Sequence, residues 1–518
     1  MQFNEKLDFL MNITKTTNSA LSIYTRIDAS HISRLRKGQR GALKDITSIN
    51  AMATYFASHC KEDYQRKAIC DALDANPFNS EASELSALIS RWLSGEVKNE
   101  VSTVGNFLSG FSNYTSRQSV PLFYVSEKIP KKNVPAVSIF YGVEGKKQAV
   151  IHFLTDVLTQ GTPNTLLLFS DEPTDWMTAD REFAMKWASL MFQILMKGNR
   201  IKIIHTVSRN LDEMLNAINQ WMPLYMTGAI EPYFYPKKRD GIFKQTLFIA
   251  PNVSAVISRS VGHMLNQAAN LFFKDKKAIK AYEEEYKQYL ILCKPLMMIF
   301  TSKDEATYFH TLLEFEKEKS DSLIKTESLS LLTMPEAVTS SIISRLGKNG
   351  ENLINYQKSR VILFEALLKT NIFSEIICLP DVTTVLASKV KVASSDMLSG
   401  GSAYYTPQEY VLHLERLVDL LKTYSNFHIY LTSEITEDRY TVYSKEDVGT
   451  IVAKTSTPSI ILAMNENNMT AAFWDFLKHM TGDNSNRTPD KTETIKKMTS
   501  YILDLRKSMF DLSSRIDT

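Results

Sequence analysis

Side chains suited to contact an anionic partner are concentrated near the N-terminus of the 518-residue chain. The whole chain carries a net charge of +3 at pH 7. Residues 1–60 contain eight Lys and Arg against four Asp and Glu, so a charge of +4 lies there and about −1 remains for the rest. Most of these positive residues lie between Arg26 and Lys44. This local excess indicates an anionic partner for one end of the molecule.

Residues 21–40 have the pattern of two short helices joined by a turn. The first helix includes Tyr24, and Ile27 supplies one apolar side chain to the core at the turn. Asp28 or Ser30 can begin the second helix by accepting a backbone N–H. The sequence therefore predicts a helix that starts near Ser30.

The second helix is predicted to have an apolar face and a polar face. Ile32 and Leu35, three residues apart, face inward. The other face carries Ser, His and Arg, which donate to base edges in the major groove, and Arg can form a bidentate pair with guanine. Gly38 is suited to end the helix, and basic residues beyond it suit phosphate contacts. The residues predicted to contact DNA are Ser30, His31, Ser33, Arg34, Lys37, Arg40 and Lys44.

The motif Ser-x-Ile-Ser-Arg-Leu-Arg-x-Gly-x-Arg at residues 30–40 resembles the second half of a phage-repressor/Cro-type (XRE-like) helix-turn-helix. The resemblance is confined to the N-terminal segment, and it implies that the helix near Ser30 is the recognition helix. One position departs from the family, because Arg26 stands where the turn usually has glycine. The alternative is a basic, solvated helical bundle that contacts other proteins.

Bulk composition is that of a globular protein with several domains. Hydrophobic residues make up 44% of the chain and charged residues 23%. No apolar run is long enough to span a bilayer, and the N-terminus does not resemble a signal peptide. The four cysteines are scattered, with no spacing typical of a metal site. We therefore expect a cytoplasmic, bacterial-type protein without metal, cofactor or membrane contact.

The predicted fold class is multidomain, with an all-α helix-turn-helix head followed by a duplicated α/β region. The head covers residues 1–94, with the helix-turn-helix at about 17–40, and a polar linker with room for one short helix covers 95–120. Two α/β units follow at 121–335 and 336–518, the second ending in a helix from about residue 490. Short aliphatic runs alternate with amphipathic helices, which favours a largely parallel sheet. Strands are predicted at 136–141, 165–169, 200–205, 245–250 and 296–300.

Two pairs of segments indicate the duplication. The strand 166–169, followed by Ser170-Asp171, resembles the strand 376–379, followed by Pro380-Asp381. The strand 201–206 resembles the strand 427–432, each after a long helix. The separation grows between the two pairs, which indicates an insertion near 388–405 in the second copy.

Four residues are predicted to bind a ligand in the α/β region. Lys146 lies in Gly142-Val-Glu-Gly-Lys-Lys, between a strand and a helix, where backbone N–H groups and a lysine can face an anion, although the segment lacks P-loop spacing. Asp171 and Asp381 are expected at matching strand ends, and His205 lies at another strand end. Turn formation and helix capping are the structural alternatives for the two aspartates, a solvated turn is the alternative for Lys146, and a structural role is the alternative for His205.

The duplicated α/β region also resembles phospholipase D-like folds, some of which serve as sensor domains behind DNA-binding modules. The catalytic signature of those folds is His-x-Lys followed by Asp. The only His-x-Lys in the chain is His59-Cys60-Lys61, which lies in the helical head. His205 and His428 are not followed by the required lysine. The resemblance therefore implies a catalytically inactive sensor region, and no catalytic residue is predicted.

The sequence as a whole predicts a transcriptional regulator that binds specific double-stranded DNA. A small-molecule effector and a homodimer on two half-sites are expected partners. The terminal helix has an apolar stripe that either joins two copies or packs on its own domain. The stripe consists of Ile495, Met498, Ile502, Leu505 and Met509. The alternatives are a hydrolase or nucleotide-processing enzyme localised by its basic head, and a scaffold without a ligand.

Overall fold

The computed structural model describes residues 3–38, 43, 45–60, 62–73, 82–113, 135–172, 175–205, 211–236, 243–261, 267–301, 304–346, 351–393, 395, 402–432, 440–456, 459–482 and 489–516. The molecule is multidomain and contains helices and two mixed β-sheets. One unit consists of Met1–Phe107 and Ser208–Asn216, and the other of Leu108–Val207 and Ala217–Thr518.

The N-terminal part of the chain is helical over its described residues. Its helices are α1 (Phe3–Ile13), α2 (Asn18–Thr25), α3 (Ala29–Arg36), α4 (Ile46–His59), α5 (Asp63–Ala72) and α6 (Ala82–Asn113). Apolar residues recur three or four positions apart, so each helix has one face for a shared buried cluster that includes Leu7, Leu21 and Phe56. The predicted linker at 95–120 is wrong over its first part, because α6 continues as a helix to Asn113. Residues 114–120 lie outside the described residues.

The first sheet of the α/β region has eight strands. They are β1 (Val137–Tyr141), β2 (Thr165–Ser170), β3 (Arg200–His205), β4 (Ile230–Phe234), β5 (Phe243–Ala250), β6 (Ser254–Val261), β7 (Ala269–Phe273) and β8 (Lys294–Pro295). Their order is β1-β7-β6-β5-β2-β3-β4-β8. Among the described strands of this sheet, β2, β3 and β4 pair in parallel and the other pairs are antiparallel. The helices between these strands are α7 (Gly142–Thr159), α8 (Asp175–Thr178), α9 (Arg181–Met196), α10 (Leu211–Tyr225) and α11 (Lys276–Ile291).

The second sheet has seven strands. They are β9 (Met297–Thr301), β10 (Ser322–Lys325), β11 (Phe373–Cys378), β12 (Phe427–Thr432), β13 (Tyr440–Lys445), β14 (Gly449–Lys454) and β15 (Ile460–Met464). Their order is β12-β11-β10-β13-β14-β15-β9, with β10, β11 and β12 parallel. The helices are α12 (Glu305–Lys317), α13 (Glu336–Arg345), α14 (Glu351–Leu367), α15 (Val382–Leu386), α16 (Pro407–Thr423), α17 (Asn467–Met480) and α18 (Lys491–Ile516).

The two sheets have the same topology over seven strands. Strands β1 to β7 correspond in order and direction to β9 to β15, and β8 is an addition to the first sheet. The α/β region is therefore duplicated, but the predicted alignment was wrong by one strand. Strand β3 corresponds to β11, and β4 corresponds to β12, whereas the sequence match had paired β2 with β11 and β3 with β12. The change of sheet falls between β8 and β9, earlier than the predicted boundary at 335/336.

The five strands predicted from aliphatic runs are all present, as β1, β2, β3, β5 and β9. The expectation of a largely parallel sheet is wrong, because four of the six pairs formed by the shared strands in each sheet are antiparallel. Strand β2 illustrates why the positions of the strands could be predicted from the sequence. Its central residues are buried on both faces, and such central strands are continuous apolar runs. That run shows burial, but it does not show the direction of the neighbouring strand.

The terminal helix α18 packs on its own half of the α/β region. Met498, Ile502 and Leu505 are buried in the apolar cluster of the second sheet, and α18 contacts α15 and α16. Of the two roles open to this stripe, the structure shows the intramolecular one. Among the described residues, no helix combines the length and the apolar character needed to cross a membrane.

Candidate functional site

The turn between α2 and α3 is fixed by local hydrogen bonds. Arg26 ends α2 in the left-handed region, with a φ of 59°, and its backbone N–H donates to the Ser22 carbonyl over 2.9 Å. The Asp28 carboxylate begins α3 by accepting the backbone N–H groups of Ser30 at 2.8 Å and His31 at 3.3 Å. Hydrogen bonds from Ser30 are the main cause of a lowered pKa at Asp28. The cap that the sequence left open between Asp28 and Ser30 is therefore Asp28.

Helix α3 presents one polar face to solvent. Ile32 and Leu35 are buried in the apolar cluster, while Ser30, Arg34 and Lys37 are exposed. These three positions are four and three residues apart, so they form one stripe along the helix. The Arg34 guanidinium donates to Ser30 Oγ over 3.2 Å, which aligns the two side chains on that stripe.

The other predicted contact residues differ in exposure. His31 and Ser33 are half-buried at the sides of the stripe. Gly38 follows the end of α3 with a φ of +67°, a conformation that favours glycine. Arg40 and Lys44 lie outside the described residues.

Arg36 has a positioning role that sequence reasoning did not assign. Its guanidinium donates to Asp8 of α1 over 2.6 Å and to Asn18 of α2 over 3.1 Å. The side chain thus joins the C-terminal end of α3 to both preceding helices. In the sequence, Arg36 stands directly after the inward-facing Leu35 and before the basic residues that follow α3. That position was the available signal for a role in positioning the helix.

Lys146, in the first turns of α7, lies inside the first half of the α/β region. Its side chain is only 2% exposed and forms an ion pair with Glu172. The ammonium group also donates to Thr246 Oγ1 over 2.7 Å and lies 4.5 Å from the centre of the Trp176 ring. Burial lowers the pKa of Lys146, and the nearby charge of Asp171 opposes that effect.

Glu172 completes this buried group. Its carboxylate accepts hydrogen bonds from Thr246 at 2.6 Å, Ser258 at 3.2 Å and Ser260 at 3.1 Å. Both of its oxygens are therefore occupied by protein groups. The sequence prediction had Lys146 but missed Glu172 and the three hydroxyl residues, which lie on β5, on β6 and after β2.

Asp171 and His205 lie at one edge of the first sheet. Ser170, which precedes Asp171, pairs with His205 across β2 and β3. The Asp171 carboxylate accepts the backbone N–H of Gln245 over 2.5 Å. The Nε2 atom of His205 lies 2.8 Å from the Tyr225 hydroxyl, and burial lowers the pKa of His205 to about 4. The structure thus brings Lys146, Asp171 and His205 to the end of the first sheet at which the parallel strands β2 and β3 finish.

Asp381 lies apart from these three residues. It is exposed after β11, and its backbone carbonyl accepts the N–H of Thr384 over 2.9 Å at the start of α15. The expectation that Asp171 and Asp381 occupy matching positions is wrong, because Asp171 follows β2 while Asp381 follows the counterpart of β3. His205 and His428 are likewise not equivalent, since His205 ends β3 and His428 is the second residue of β12.

The second half contains buried ionisable groups that the sequence reasoning missed. Glu375, in the middle of β11, is fully buried, and its carboxylate accepts the backbone N–H of Ser330 over 2.9 Å. Burial raises the pKa of Glu375 to about 7. His413 lies between the hydroxyls of Thr333 and Tyr405, each 3.0 Å away, and burial lowers its pKa to about 3. The sequence did contain a signal for Glu375, since a glutamate within a mostly apolar strand is unusual.

Groups of three or more His, Cys, Asp or Glu side chains able to hold a metal ion are absent from the described part of the chain. No protein-family model matches the sequence, and no curated protein matches it.

Several solved structures are weakly similar to this chain. TrmBL2, an archaeal chromatin protein whose structure shows a novel mode of DNA binding, has a TM-score of 0.23 and 13% identity over 42% of this chain and 72% of its own. Polyphosphate kinase from Porphyromonas gingivalis has a TM-score of 0.23 and 10% identity over 71% of this chain and 55% of its own. NucT from Helicobacter pylori has a TM-score of 0.23 and 14% identity over 31% of this chain and 98% of its own.

Proposed function

We propose that this protein is a transcriptional regulator that binds specific double-stranded DNA through α2 and α3, which act as a helix-turn-helix. The observation that carries the proposal is the two-sided character of α3. Ile32 and Leu35 anchor it in the core, while Ser30, Arg34 and Lys37 form an exposed stripe. A helix that enters the major groove needs this division between a buried face and a face of hydrogen-bond donors.

The polar stripe has the chemistry for reading bases and holding phosphates. Arg34 can donate two parallel hydrogen bonds to guanine, and Ser30 can donate to a neighbouring base. Lys37, with Arg40 and Lys44 beyond it, supplies positive charge for the phosphate backbone. His31 and Ser33 lie at the sides of the stripe, where they would meet bases at the margin of the site.

The α/β region is proposed to sense an effector and to join copies of the chain. The proposed effector site is the carboxyl edge of the first sheet, at Lys146, Asp171 and His205, with Asp381 as a separate ligand contact in the second half. An effector that binds one arrangement of this region more tightly would shift the population toward it and change the spacing of two DNA-reading heads. We place the protein in the cytoplasm, where its DNA lies.

The test begins with DNA selected by the full chain from a random-sequence pool. Arg34→Ala should weaken binding to the selected site by about 1–3 kcal/mol and relax the preference at one base position. Arg40→Ala should weaken binding to all sequences more evenly and reduce the salt dependence. The matched control is Arg91→Ala, an exposed arginine on α6. Fluorescence anisotropy at several salt concentrations measures each effect.

The proposal fails if Arg34→Ala and Arg40→Ala bind the selected DNA as the parent chain does. It also fails if the full chain selects no sequence from the pool. Equal losses for Arg34→Ala and Arg91→Ala would show a general charge effect rather than base reading by α3.

A further inference from the structure

Strand β1 exposes an unusual apolar row. Val137, Ile139 and Tyr141 alternate along the strand and are 48%, 52% and 71% exposed. β1 is the terminal strand of the first sheet, and β7 is its sole strand neighbour among the described residues. An apolar strand at a sheet edge readily pairs with another chain unless charge, proline or a covering element blocks it. β1 contains neither a charged residue nor proline.

The edge of β1 that has no neighbouring strand among the described residues also presents backbone hydrogen-bonding groups. The N–H of Lys274 donates to the Ala136 carbonyl over 2.8 Å, and the N–H of Gly142 donates to the Ala268 carbonyl over 2.9 Å. The even-numbered residues of β1 therefore form the hydrogen-bonded pairs with β7, since such pairs alternate along an antiparallel ladder. It follows that the N–H and C=O groups of Val137, Ile139 and Tyr141 point away from β7.

The internal duplication shows how the fold treats this strand elsewhere. The counterpart of β1 in the second half is β9, which contacts β4 of the first half. Two of its large apolar residues, Met297 and Phe300, are buried. The same strand of the fold thus lies between the two α/β copies in one half, whereas in the other half β1 has only β7 beside it among the described strands.

We propose that β1 pairs with β1 of a second copy of this chain, antiparallel and centred on Ile139. In this register Ile139 faces the partner's Ile139, and Val137 faces the partner's Tyr141. All three outward residues then form hydrogen-bonded pairs, and the exposed apolar side chains meet on the same face of the joined sheet. A second copy fits this edge because the row is the same when read from either copy, as a twofold interface requires.

The size of the surface sets the strength of this dimer. Three partly exposed side chains cover less than the roughly 800 Å² per partner typical of a stable complex. Pairing through β1 therefore predicts a concentration-dependent dimer that becomes tighter when two heads bind adjacent half-sites. Only this tightening on DNA rests on the proposed function, since pairing in free solution depends on β1 alone.

Analytical ultracentrifugation of the full chain, from micromolar to submillimolar concentration, tests the proposal. Ile139→Lys places two like charges directly opposite each other and should raise the dissociation constant about tenfold or more. The matched control is Ile362→Lys, a 63% exposed isoleucine on α14, which should dimerise as the parent does. At a concentration below the parent's dissociation constant, where both variants are monomeric, their thermal unfolding midpoints should be the same.

Cysteine cross-linking tests the register. Residues in a hydrogen-bonded antiparallel pair have Cα atoms about 5.5 Å apart, which suits a disulfide. Ile139→Cys should therefore give a covalent dimer on mild oxidation. Val137→Cys should not, because Val137 faces the partner's Tyr141 and not its own copy. The parent chain, with its four native cysteines, measures the background.

Three results would overturn the proposal. The first is a parent chain that stays monomeric at all concentrations, with and without DNA. The second is an Ile139→Lys dimer as tight as the parent's. The third is an unfolding midpoint of Ile139→Lys that lies below that of the parent when both are monomeric, which would show that another part of the same chain covers β1. If the chain dimerises through β1 but binds no DNA, this inference stands and the proposed function falls.

Discussion

The buried ionisable side chains of the α/β region are of two kinds. Lys146 and Glu172 pair with each other, and neighbouring hydroxyls occupy the remaining oxygens of Glu172. The Oε1 atom of Glu375 accepts one hydrogen bond, from the backbone N–H of Ser330. Its Oε2 atom has no hydrogen-bond partner among the described residues. Burial of a charge without a partner is costly, so the two sites should respond differently to substitution.

Glu375→Gln should stabilise the protein at alkaline pH. The pKa of Glu375 is about 7 in the folded chain and 4.5 as the ordinary value. Between these values the unfolded chain has lost the proton that the folded chain retains, so the parent's stability falls as pH rises from about 4.5 to about 7. The glutamine variant lacks this loss and should be more stable by about 3 kcal/mol at pH 8, and by little at pH 4.

Urea unfolding at several pH values measures this difference. Glu351→Gln, at an exposed glutamate on α14, is the matched control and should follow the parent curve. Parallel pH dependence for the parent chain and Glu375→Gln would contradict the prediction.

A double-mutant cycle on Lys146 and Glu172 should show strong coupling. Lys146→Met leaves the buried Glu172 carboxylate without its cation and should cost about 3–5 kcal/mol. Adding Glu172→Gln removes that uncompensated charge, so the double variant should be more stable than the sum of the single effects predicts. The control is the exposed pair Lys497–Glu493 on α18, for which coupling of about 0–1 kcal/mol is expected. Coupling of the same size in both cycles would show that the buried pair is not special.

At the scale of the element, the turn between α2 and α3 contains a local backbone strain. The residue at the turn is Arg26, and its backbone adopts the left-handed conformation with a φ of 59°. A non-glycine residue in that region is disfavoured by about 1–2 kcal/mol, because its Cβ approaches the following carbonyl oxygen. Arg26 therefore holds the turn in a conformation that a glycine would adopt at lower cost.

Arg26→Gly should stabilise α2 and α3 by about 0.5–1 kcal/mol, since relief of strain exceeds the added flexibility of the unfolded chain. Arg26→Ala keeps the Cβ and should give no gain, although it removes the same charge. Gly38→Ala should act in the opposite direction, because its φ is +67° and an added Cβ would lie 3.0 Å from Asn4 Nδ2. Hydrogen exchange of the amides in both helices reports the effects. Faster exchange in Arg26→Gly would be inconsistent with strain at this position.

At the scale of the whole molecule, the duplication joins two sheets whose polar groups differ. The first sheet carries Lys146 and Glu172 near the carboxyl end of β2, while the second carries Glu375 in the middle of β11. In the corrected alignment, His205 and His428 lie on strands that are not counterparts, since β3 corresponds to β11 and not to β12. They also lie at opposite ends of their strands. The two halves of the α/β region thus share their strand order but differ in their buried ionisable residues.

The α/β region should not hydrolyse phosphodiesters. That chemistry needs a histidine nucleophile, a second histidine as general acid and lysines that neutralise the phosphoryl oxygens. The one His-x-Lys of the sequence begins at His59, outside the α/β region. The purified chain should give no turnover of nucleic acid or of a chromogenic phosphodiester, with or without divalent metal. Turnover that His205→Ala or His428→Ala abolishes would place the enzyme alternative first.

The sequence by itself determined the local elements of this protein. The buried positions Ile32 and Leu35 follow from helical spacing, and the apolar run of β2 follows from burial on both faces of a sheet. These patterns are readable because each depends on residues a few positions apart. The terminal helix was found by the same spacing, whereas α6 was cut short, because its polar residues 95–113 resemble a linker.

Tertiary structure alone decided which distant residues meet. Lys146 contacts Thr246, one hundred positions away, and Ser330 donates to Glu375 across forty-five positions. Periodicity tells which face of an element is buried, but not which element covers it. The alignment of the duplicated halves was misread for this reason, since successive strand–helix units look alike in sequence and only strand pairing distinguishes β3 from β4. Pairing also placed β1 at the end of the first sheet, with β7 as its one neighbour among the described strands, and no local pattern specifies that position.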